Sequence, residues 1–292
     1  MLFRAEGAIL STERSEVRDL RKKVRIAVIV LLALVFTVSL AMFVRQSLTY
    51  RAGQETYAEA EELVGLPDLE ELLPPVEEPE ETEPEETATS AEEPAPVVED
   101  PYARTLQSMD FTALREVNSD VLGWIVIPGT VISYPLVQGA DNQYYLKHTW
   151  KKQASAVGAI FLEYQNSPDL SDFNTIVYGH RMNNGSMFAS LKEYKKQSWW
   201  KDHPCVYITD DNGSHTYEIF AAYEVSTSGA AYQLGFPNEE SRQAFLDDCV
   251  SRSVIDTGIA PTVRDQILTL STCTGNGHAT RWVVQARLSG EV

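Results

Sequence analysis

The sequence has few cysteines and no surplus of basic charge, and each shortage excludes a class of protein. Three cysteines in 292 residues are too few, and odd in number, for a scaffold held together by disulfides. The formal net charge of -18 argues against a nucleic-acid-binding protein, which needs a basic face to neutralise phosphates. The sequence also has no Cys-x-x-Cys or His-x-x-x-His spacing and no glycine-rich phosphate loop, so we expect no metal site and no cofactor.

Lysine and arginine are absent from one whole segment, residues 52–103. This segment holds 18 acidic residues and 8 of the 14 prolines, so the rest of the chain is neutral. Such a composition cannot repay the entropy of ordering, which predicts an extended, self-repelling extracellular linker over residues 45–103. A short acidic helix over residues 58–73 is the local alternative, because four leucines fall near helical spacing: Leu63, Leu66, Leu69 and Leu73. We interpret the acidic run as a spacer, with a specific basic partner as the alternative.

One long hydrophobic run, residues 26–44, follows a basic N-terminal stretch. Its 19 residues span roughly 28 Å as a helix, close to the hydrocarbon thickness of a bilayer. The positive-inside rule places residues 1–25 in the cytoplasm and the rest outside the cell. The alternative is a cleaved signal peptide, because residues 39–41 resemble a cleavage site, but the run is longer than a usual signal sequence. We therefore predict an uncleaved, single-pass membrane anchor.

Residues 104–292 are sufficient for one folded domain. One or two short helices are expected over residues 106–117, and two helical insertions over residues 186–194 and 238–253. Between them lie short branched and aromatic runs that are typical of strands: 121–127, 131–137, 157–163, 175–178, 205–209, 216–227, 266–271 and 282–288. The fold class is therefore mostly β, and these short strands predict a closed or nearly closed β-barrel.

Cys273 is the candidate nucleophile among the three cysteines. It ends a predicted strand and opens into a glycine-containing loop, where a thiol is exposed enough to react, although position alone leaves a bystander role open. Cys205 and Cys249 lie within a strand and a helix, and we expect them to be buried. His180 also ends a strand, and Arg281 begins the last one, so a short hairpin would bring the arginine beside Cys273. A thiolate nucleophile needs such a proton-transfer partner and such a cation.

These residues lie in motifs that resemble the sortase family, and within it class B. Residues 269–273 match the family's TLxTC signature, and residues 174–180 match the strand that carries the catalytic histidine. The segments 118–125 and 185–188 and the helix expected at 238–253 are typical of class B. The resemblance covers residues 105–290. Arg181 departs from it, because class B members often have asparagine directly after that histidine.

The resemblance implies a membrane-anchored cysteine transpeptidase of a Gram-positive cell wall. Such an enzyme cleaves a secreted protein after the threonine of a C-terminal sorting motif, NPxTN-like or (S/P)PxTG-like, through a thioacyl-enzyme on Cys273. His180 would give a proton to the leaving amine, and Arg281 would hold the substrate backbone or the oxyanion. The backbone N–H of Thr274 would be a second oxyanion donor, while the remaining candidates shape the pocket: Thr272 and Ser271. An amine of a peptidoglycan precursor, or alternatively a pilin lysine, takes the acyl group.

Two rival interpretations remain open on the sequence alone. L,D-transpeptidases are also cell-wall cysteine enzymes, but their arginine follows the cysteine by two residues, whereas here the spacing is eight. A membrane-tethered barrel without turnover would keep the same residues and form no thioacyl intermediate.

Overall fold

The computed structural model describes residues 2–67, 100–275 and 279–292, with side chains described from residue 21 onward. The chain divides into two compact units, Met1–Ala52 and Gly53–Val292. Helix α1 (Leu2–Val64) contributes residues to both units.

The first unit is helical and exposes a long apolar surface. Within the described part of the chain, one helical stretch, Arg21–Val64, is long and apolar enough by length and composition to cross a membrane. Its valine, isoleucine, leucine and phenylalanine side chains are exposed on all sides between Val24 and Val44, an arrangement that suits lipid better than water. The predicted anchor, residues 26–44, lies inside this stretch.

The second unit has eight strands within its described residues, each close to a predicted strand: β1 (Val121–Val126), β2 (Ser133–Val137), β3 (Ile160–Leu162), β4 (Asn174–Tyr178), β5 (Cys205–Asp210), β6 (Gly213–Ser226), β7 (Ile267–Cys273) and β8 (Thr280–Glu291). The α-helices of this unit are α2 (Pro101–Leu106), α3 (Thr112–Val117), α4 (Gln197–Asp202) and α5 (Glu239–Arg252). Short 3₁₀ helices occur at Tyr144–Leu146, Phe188–Lys195 and Ala230–Tyr232, so the first predicted helical insertion is a 3₁₀ helix.

The strands close into a barrel in the order β1-β2-β3-β4-β7-β8-β6-β5. Antiparallel pairing of β1 with β5 completes the barrel, and closure removes the sheet edges. The pairs β2–β3 and β4–β7 are parallel. The predicted mostly-β barrel is therefore confirmed, and its two parallel pairs bring together strand ends that are far apart in sequence.

Helix α5 covers part of the outer face of the barrel, as the predicted insertion at 238–253 indicated. Asn238 caps it, because its side chain accepts a hydrogen bond from the Ser241 N–H at 2.8 Å. Phe245, Leu246 and Cys249 are buried in one cluster with side chains of β6, β7 and β8. Burial of each large apolar side chain contributes about 1.5–3 kcal/mol, so this face fixes the helix to the strands that carry the candidate site.

The segment Gly53–Val64 differs from the extended linker predicted over residues 45–103. It is the last part of α1, and it buries Tyr57, Ala60 and Val64 in the second unit. These residues recur at helical spacing on one face. The prediction was wrong here because one apolar face is enough to dock an otherwise acidic helix.

Hydrogen bonds to the backbone fix this docked segment. The indole N–H of Trp150 donates to the carbonyl oxygen of Thr56 at 2.8 Å, and the Tyr57 hydroxyl donates to the carbonyl oxygen of Gly158 at 2.5 Å. The helix ends at Val64, shortly before Pro67, which cannot continue it. The helix considered over residues 58–73 is therefore helical only to Val64 among its described residues.

The folded unit also includes residues before the boundary predicted at residue 104. The Asp100 carboxylate caps α2 by accepting hydrogen bonds from the N–H groups of Tyr102 at 3.0 Å and Ala103 at 3.3 Å. Ala103 and Leu106 are fully buried. The predicted boundary thus falls inside a packed helix, because the proline at its first turn and the aspartate cap begin the helix earlier. The rest of the predicted linker, residues 68–99, lies outside the described residues.

Candidate active site

His180 and Cys273 lie side by side because their strands are parallel neighbours in register. Tyr178 of β4 is level with Ser271 of β7, and the next N–H, that of Gly179, donates to the Ser271 carbonyl oxygen at 3.1 Å. Parallel strands reach the same rim of a barrel at their carboxyl ends. Two residues further along each strand, His180 and Cys273 therefore occupy the same level of that rim.

Arg281 lies opposite Cys273 on the other side of β7. The antiparallel register of β7 and β8 pairs Cys273 with Arg281, as the hairpin argument predicted. One guanidinium nitrogen, Nη1, donates to the carbonyl oxygen of the preceding residue, Thr280, at 2.9 Å. The three predicted catalytic side chains thus come from three adjacent strand ends.

The imidazole of His180 has two partners. Its Nε2–H donates to the carbonyl oxygen of Leu146 at 2.8 Å, and its side chain hydrogen-bonds to that of Cys273. Because Nε2 is engaged by a carbonyl, Nδ1 is left to exchange a proton with the thiol. Gly158 allows this placement: a β-carbon there would lie 2.8 Å from Cδ2 of His180 and 2.7 Å from a backbone oxygen.

The electrostatics of the site favour a thiolate next to an imidazolium. The hydrogen bond to Cys273 is the strongest influence on His180 and raises its pKa. The same hydrogen bond is the strongest influence that lowers the pKa of Cys273, and the positive charges of Arg281 and Arg181 lower it further against the opposing effect of burial. A thiolate is the nucleophilic form of cysteine.

The other two cysteines have the opposite electrostatics. Burial raises the pKa of Cys205 to about 12 and that of Cys249 to about 11. Cys249 is fully buried, as expected from its position on α5. Cys273 alone among the three thiols has a lowered pKa, so the site distinguishes it from the two structural cysteines.

A groove of about 300 Å³ opens beside this site. Tyr178 and Tyr232 stack in it with ring centroids 6.3 Å apart, and the Tyr232 hydroxyl bonds to that of Ser271 at 2.8 Å. The remaining lining residues are Asn142, Leu146, Phe161, Thr227 and Arg281. The groove thus joins aromatic faces to hydroxyl and guanidinium groups, which suits a short extended peptide.

A buried carboxylate holds the polar wall of the groove. Glu163 accepts a hydrogen bond from the Tyr178 hydroxyl at 2.8 Å and one from the Asn142 amide at 2.5 Å. Glu163 is only 5% exposed, and buried carboxylate oxygens need hydrogen-bond donors. Glu163 therefore holds the Tyr178 hydroxyl and the Asn142 amide in place in the groove.

Comparison with known proteins identifies the family. The sequence profile of the sortase domain matches residues 125–289. The chain is 35% identical over 163 residues to sortase B of Staphylococcus aureus, covering 56% of this chain and 67% of the relative. It is 37% identical over 160 residues to sortase B of Listeria monocytogenes, covering 55% of this chain and 65% of the relative. The chain belongs to the sortase family.

Solved structures agree with this assignment and with class B. The structure of a Staphylococcus aureus sortase B–substrate complex matches with a TM-score of 0.59 and 34% identity, covering 62% of this chain and 85% of that one. Sortases are cysteine transpeptidases, so this sortase is an enzyme of that type. Membership of the sortase family therefore favours this enzyme class over both rival interpretations, the L,D-transpeptidase and the non-catalytic barrel.

The three weaker predicted site residues lie at different depths of the sortase site. Ser271 lines the groove through its hydroxyl. The Thr274 hydroxyl lies 3.0 Å from that of Thr280, across the start of the hairpin. Thr272 is buried, and because side chains alternate along a strand it faces away from Cys273.

Sequence reasoning missed the polar wall of the groove. Asn142 and Glu163 have no spacing that links them to the signature around Cys273. Tyr178 had a usable signal: it precedes His180 by two residues at the end of one strand, and such positions share a face. The role of Arg181 could not be read from the sequence, because its proximity to Cys273 depends on how two loops meet.

Proposed function

We propose that this sortase cleaves a secreted protein after the threonine of a C-terminal sorting motif and transfers the acyl group to an amine. The observation that carries the proposal is the hydrogen-bonded pair of Cys273 and His180, with Arg281 opposite, at the mouth of a peptide-sized groove. The similarity to a sortase B–substrate complex supports the same class of substrate.

In the first half of the reaction the Cys273 thiolate attacks the carbonyl carbon of the motif threonine. The carbonyl oxygen becomes an oxyanion, for which the Arg281 guanidinium and the backbone N–H of Thr274 are the proposed donors. The C–N bond then breaks, and the imidazolium of His180 gives its proton to the leaving amine. The products are a thioester on Cys273, a neutral imidazole and a released C-terminal segment.

In the second half an acceptor amine attacks the thioester carbon. Neutral His180 takes the proton that the amine loses, the C–S bond breaks, and the thiolate leaves. A new amide bond joins the two substrates, and the thiolate–imidazolium pair is restored. Ser271 shapes the pocket in this proposal and exchanges no proton with substrate.

The acceptor we propose is an amine of a peptidoglycan precursor, with a pilin lysine as the alternative. The helix that is apolar enough to span a membrane supports a cell-membrane location. In this proposal residues 1–25 are cytoplasmic, residues 26–44 form the single-pass anchor, and the barrel is extracellular. The site would then meet secreted proteins and lipid-linked precursors at the outer membrane face.

Intact-mass spectrometry of the acyl-enzyme tests the proposal. The full chain in detergent is mixed with a peptide panel that contains NPxTN-like and (S/P)PxTG-like motifs. We expect a mass increase equal to the peptide up to its threonine in the wild type and in Cys205→Ala, and no increase in Cys273→Ala. The Cys205 substitution is the matched control because that thiol is largely buried and its pKa is raised.

Two results would contradict the proposal. One is an acyl adduct that persists in Cys273→Ala, which would place the nucleophile elsewhere. The other is a wild-type protein that forms no adduct with either class of peptide while remaining folded.

A further inference from the structure

A second cavity reaches Cys273 from the side away from the peptide groove. It has a volume of about 200 Å³ and is lined by Cys273, Thr274 and Trp282 together with a group of charged side chains. The peptide groove shares none of these residues and is lined instead by Ser271 and Arg281. Cys273 thus lines the second cavity, and its neighbours Ser271 and Arg281 line the peptide groove.

The second cavity is positively charged. Four of its lining side chains are cationic and one is a carboxylate: Arg181, Lys192, Lys195, Lys196 and Glu193. Glu193 pairs with Lys196 at 2.8 Å and with Lys192 at 3.6 Å. Within the described ranges, Arg181 and Lys195 pair with no carboxylate. The chain as a whole has a net charge of -18, so this local excess of positive charge differs from the average of the surface.

Contacts hold both of these cations near Cys273. The Lys195 ammonium lies 4.8 Å from the centre of the Trp282 ring, and Trp282 lines the same cavity as Cys273. The Arg181 guanidinium lies against Gly275: a β-carbon there would lie 2.1 Å from Nη2. Gly275 has a φ of +87°, so glycine both allows the turn after Cys273 and leaves room for the guanidinium.

The acceptor must approach from this side if the acyl donor occupies the groove. The donor's sorting motif precedes the scissile bond, and its leaving segment follows it. The acceptor amine takes the place of the leaving amine, because the second half-reaction reverses the geometry of the first. A motif in the groove therefore directs both the leaving segment and the acceptor past Cys273 into the basic cavity.

We propose that the basic cavity binds a carboxylate of the acceptor, so that the second substrate is an amine borne by an amino acid with a free carboxylate. Arg181 and Lys195 bind the carboxylate while the amine reaches the thioester on Cys273. The volume suits a group the size of one amino acid, and guanidinium and ammonium groups are the usual partners of a carboxylate. Positive charge also disfavours the protonated form of an entering amine, and the neutral form is the nucleophile. This inference rests on the proposed transpeptidation.

Two matched acceptors test the inference in the full chain in detergent. Nα-acetyl-lysine and Nα-acetyl-lysine amide carry the same amine and differ only in the carboxylate. With an acyl donor from the peptide panel, the ratio of transfer to hydrolysis is measured for each acceptor by liquid chromatography and mass spectrometry. We expect the wild type to prefer the carboxylate form by roughly tenfold, the effect of a charge-assisted hydrogen bond.

Variants identify the side chains that cause the preference for the carboxylate form. Lys195→Gln and Arg181→Gln should each reduce it several-fold, and the double variant should bring it close to one. Lys201→Gln is the control, because Lys201 is an exposed lysine of α4 outside the cavity, and it should keep the wild-type preference. The preference is a ratio within each variant, so a general change in Cys273 reactivity cancels.

A second readout needs no acyl donor. Nα-acetyl-lysine should slow the modification of Cys273 by iodoacetamide more than its amide does, and Lys195→Gln should remove the difference. The inference is wrong if the wild type treats the two acceptors alike in both assays, or if the preference survives in the double variant. Loss of the preference in Arg281→Lys alone would also overturn it, because the carboxylate would then bind in the peptide groove. If no acyl-enzyme forms but Nα-acetyl-lysine still slows iodoacetamide modification of Cys273 more than its amide does, the result counts against the proposed function alone.

Discussion

Two histidines with a raised pKa lie near opposite ends of the β6–β8 ladder, and only one of them belongs to the candidate reactive site. At one end His215 is paired in register with Glu291 and bonds to Glu291 at 3.0 Å and to Asp210 at 3.3 Å. At the other end Arg281 faces Cys273, and His180 hydrogen-bonds to that thiol. Hydrogen bonding raises the pKa of both histidines.

The two histidines differ in the groups to which they hydrogen-bond. The partners of His215 are carboxylates, which hold the proton on the imidazole and have no nucleophilic step to perform. The partner of His180 is a thiol whose own pKa falls as that of the histidine rises, so the proton can move within the pair. A perturbed pKa therefore indicates a candidate site only when the partner is a group that can react.

The largest effect is expected at the reactive end, from Arg281→Lys. A lysine keeps the charge but loses the planar fork of donors that two oxygens can share. We expect kcat/KM for a cognate peptide to fall by about 10²–10³-fold, or roughly 3–4 kcal/mol if Arg281 acts at the oxyanion. Peptide cleavage kinetics and a thermal melt of the same sample measure this. Activity within a few-fold of wild type in a folded variant would remove Arg281 from the mechanism.

The second effect concerns the segment Gly53–Val64, which packs near the reactive end. Tyr57 bonds to the carbonyl oxygen of Gly158, and Gly158 packs against the His180 ring. A fragment of residues 100–292, which keeps the α2 cap, should therefore melt roughly 5–15 °C below a fragment of residues 53–292, because it loses several kcal/mol of apolar burial. It should also cleave peptide more slowly. Equal melting temperatures and rates would mean that the docked helix contributes nothing, as the extended-linker prediction implied.

The smallest effect is expected at the carboxylate end, from His215→Gln. The folded-state pKa of His215 is raised, first by Asp210 and then by Glu291, so its charge stabilises the fold fully below the ordinary histidine pKa of about 6.5. This contribution is lost as the pH rises through the folded-state pKa. Urea unfolding of residues 53–292 should show a wild-type advantage on the order of 1 kcal/mol in mild acid that shrinks toward alkaline pH. An advantage that grows with pH would reverse the assignment.

The strands and the three catalytic candidates could be predicted from the sequence because they depend on local patterns. Alternating branched runs locate strands, and a cysteine or histidine that ends such a run must lie at a rim. The parallel register of β4 and β7 could not be predicted, since no local spacing joins His180 to Cys273. The class B resemblance supplied that link.

The docked helix shows how a local pattern can mislead. The prediction used the periodic leucines, and Leu63 is 38% exposed in the structure. The stripe that packs is Tyr57, Ala60 and Val64, which has the same helical spacing but lies within an acidic background. The segment is acidic on average, as its composition indicates. Whether a helix docks, however, depends on the one face that can be buried.

The pH dependence of thiol alkylation tests the central claim most directly: the Cys273 thiolate exists because of His180. Iodoacetamide modification of Cys273 is followed by mass spectrometry across pH in the wild type, His180→Gln and His215→Gln. The thiolate–imidazolium pair predicts a wild-type midpoint below the ordinary thiol pKa of about 8.5, an upward shift in His180→Gln and no shift in His215→Gln. A wild-type midpoint at or above the ordinary value, or the same midpoint in His180→Gln, would contradict it.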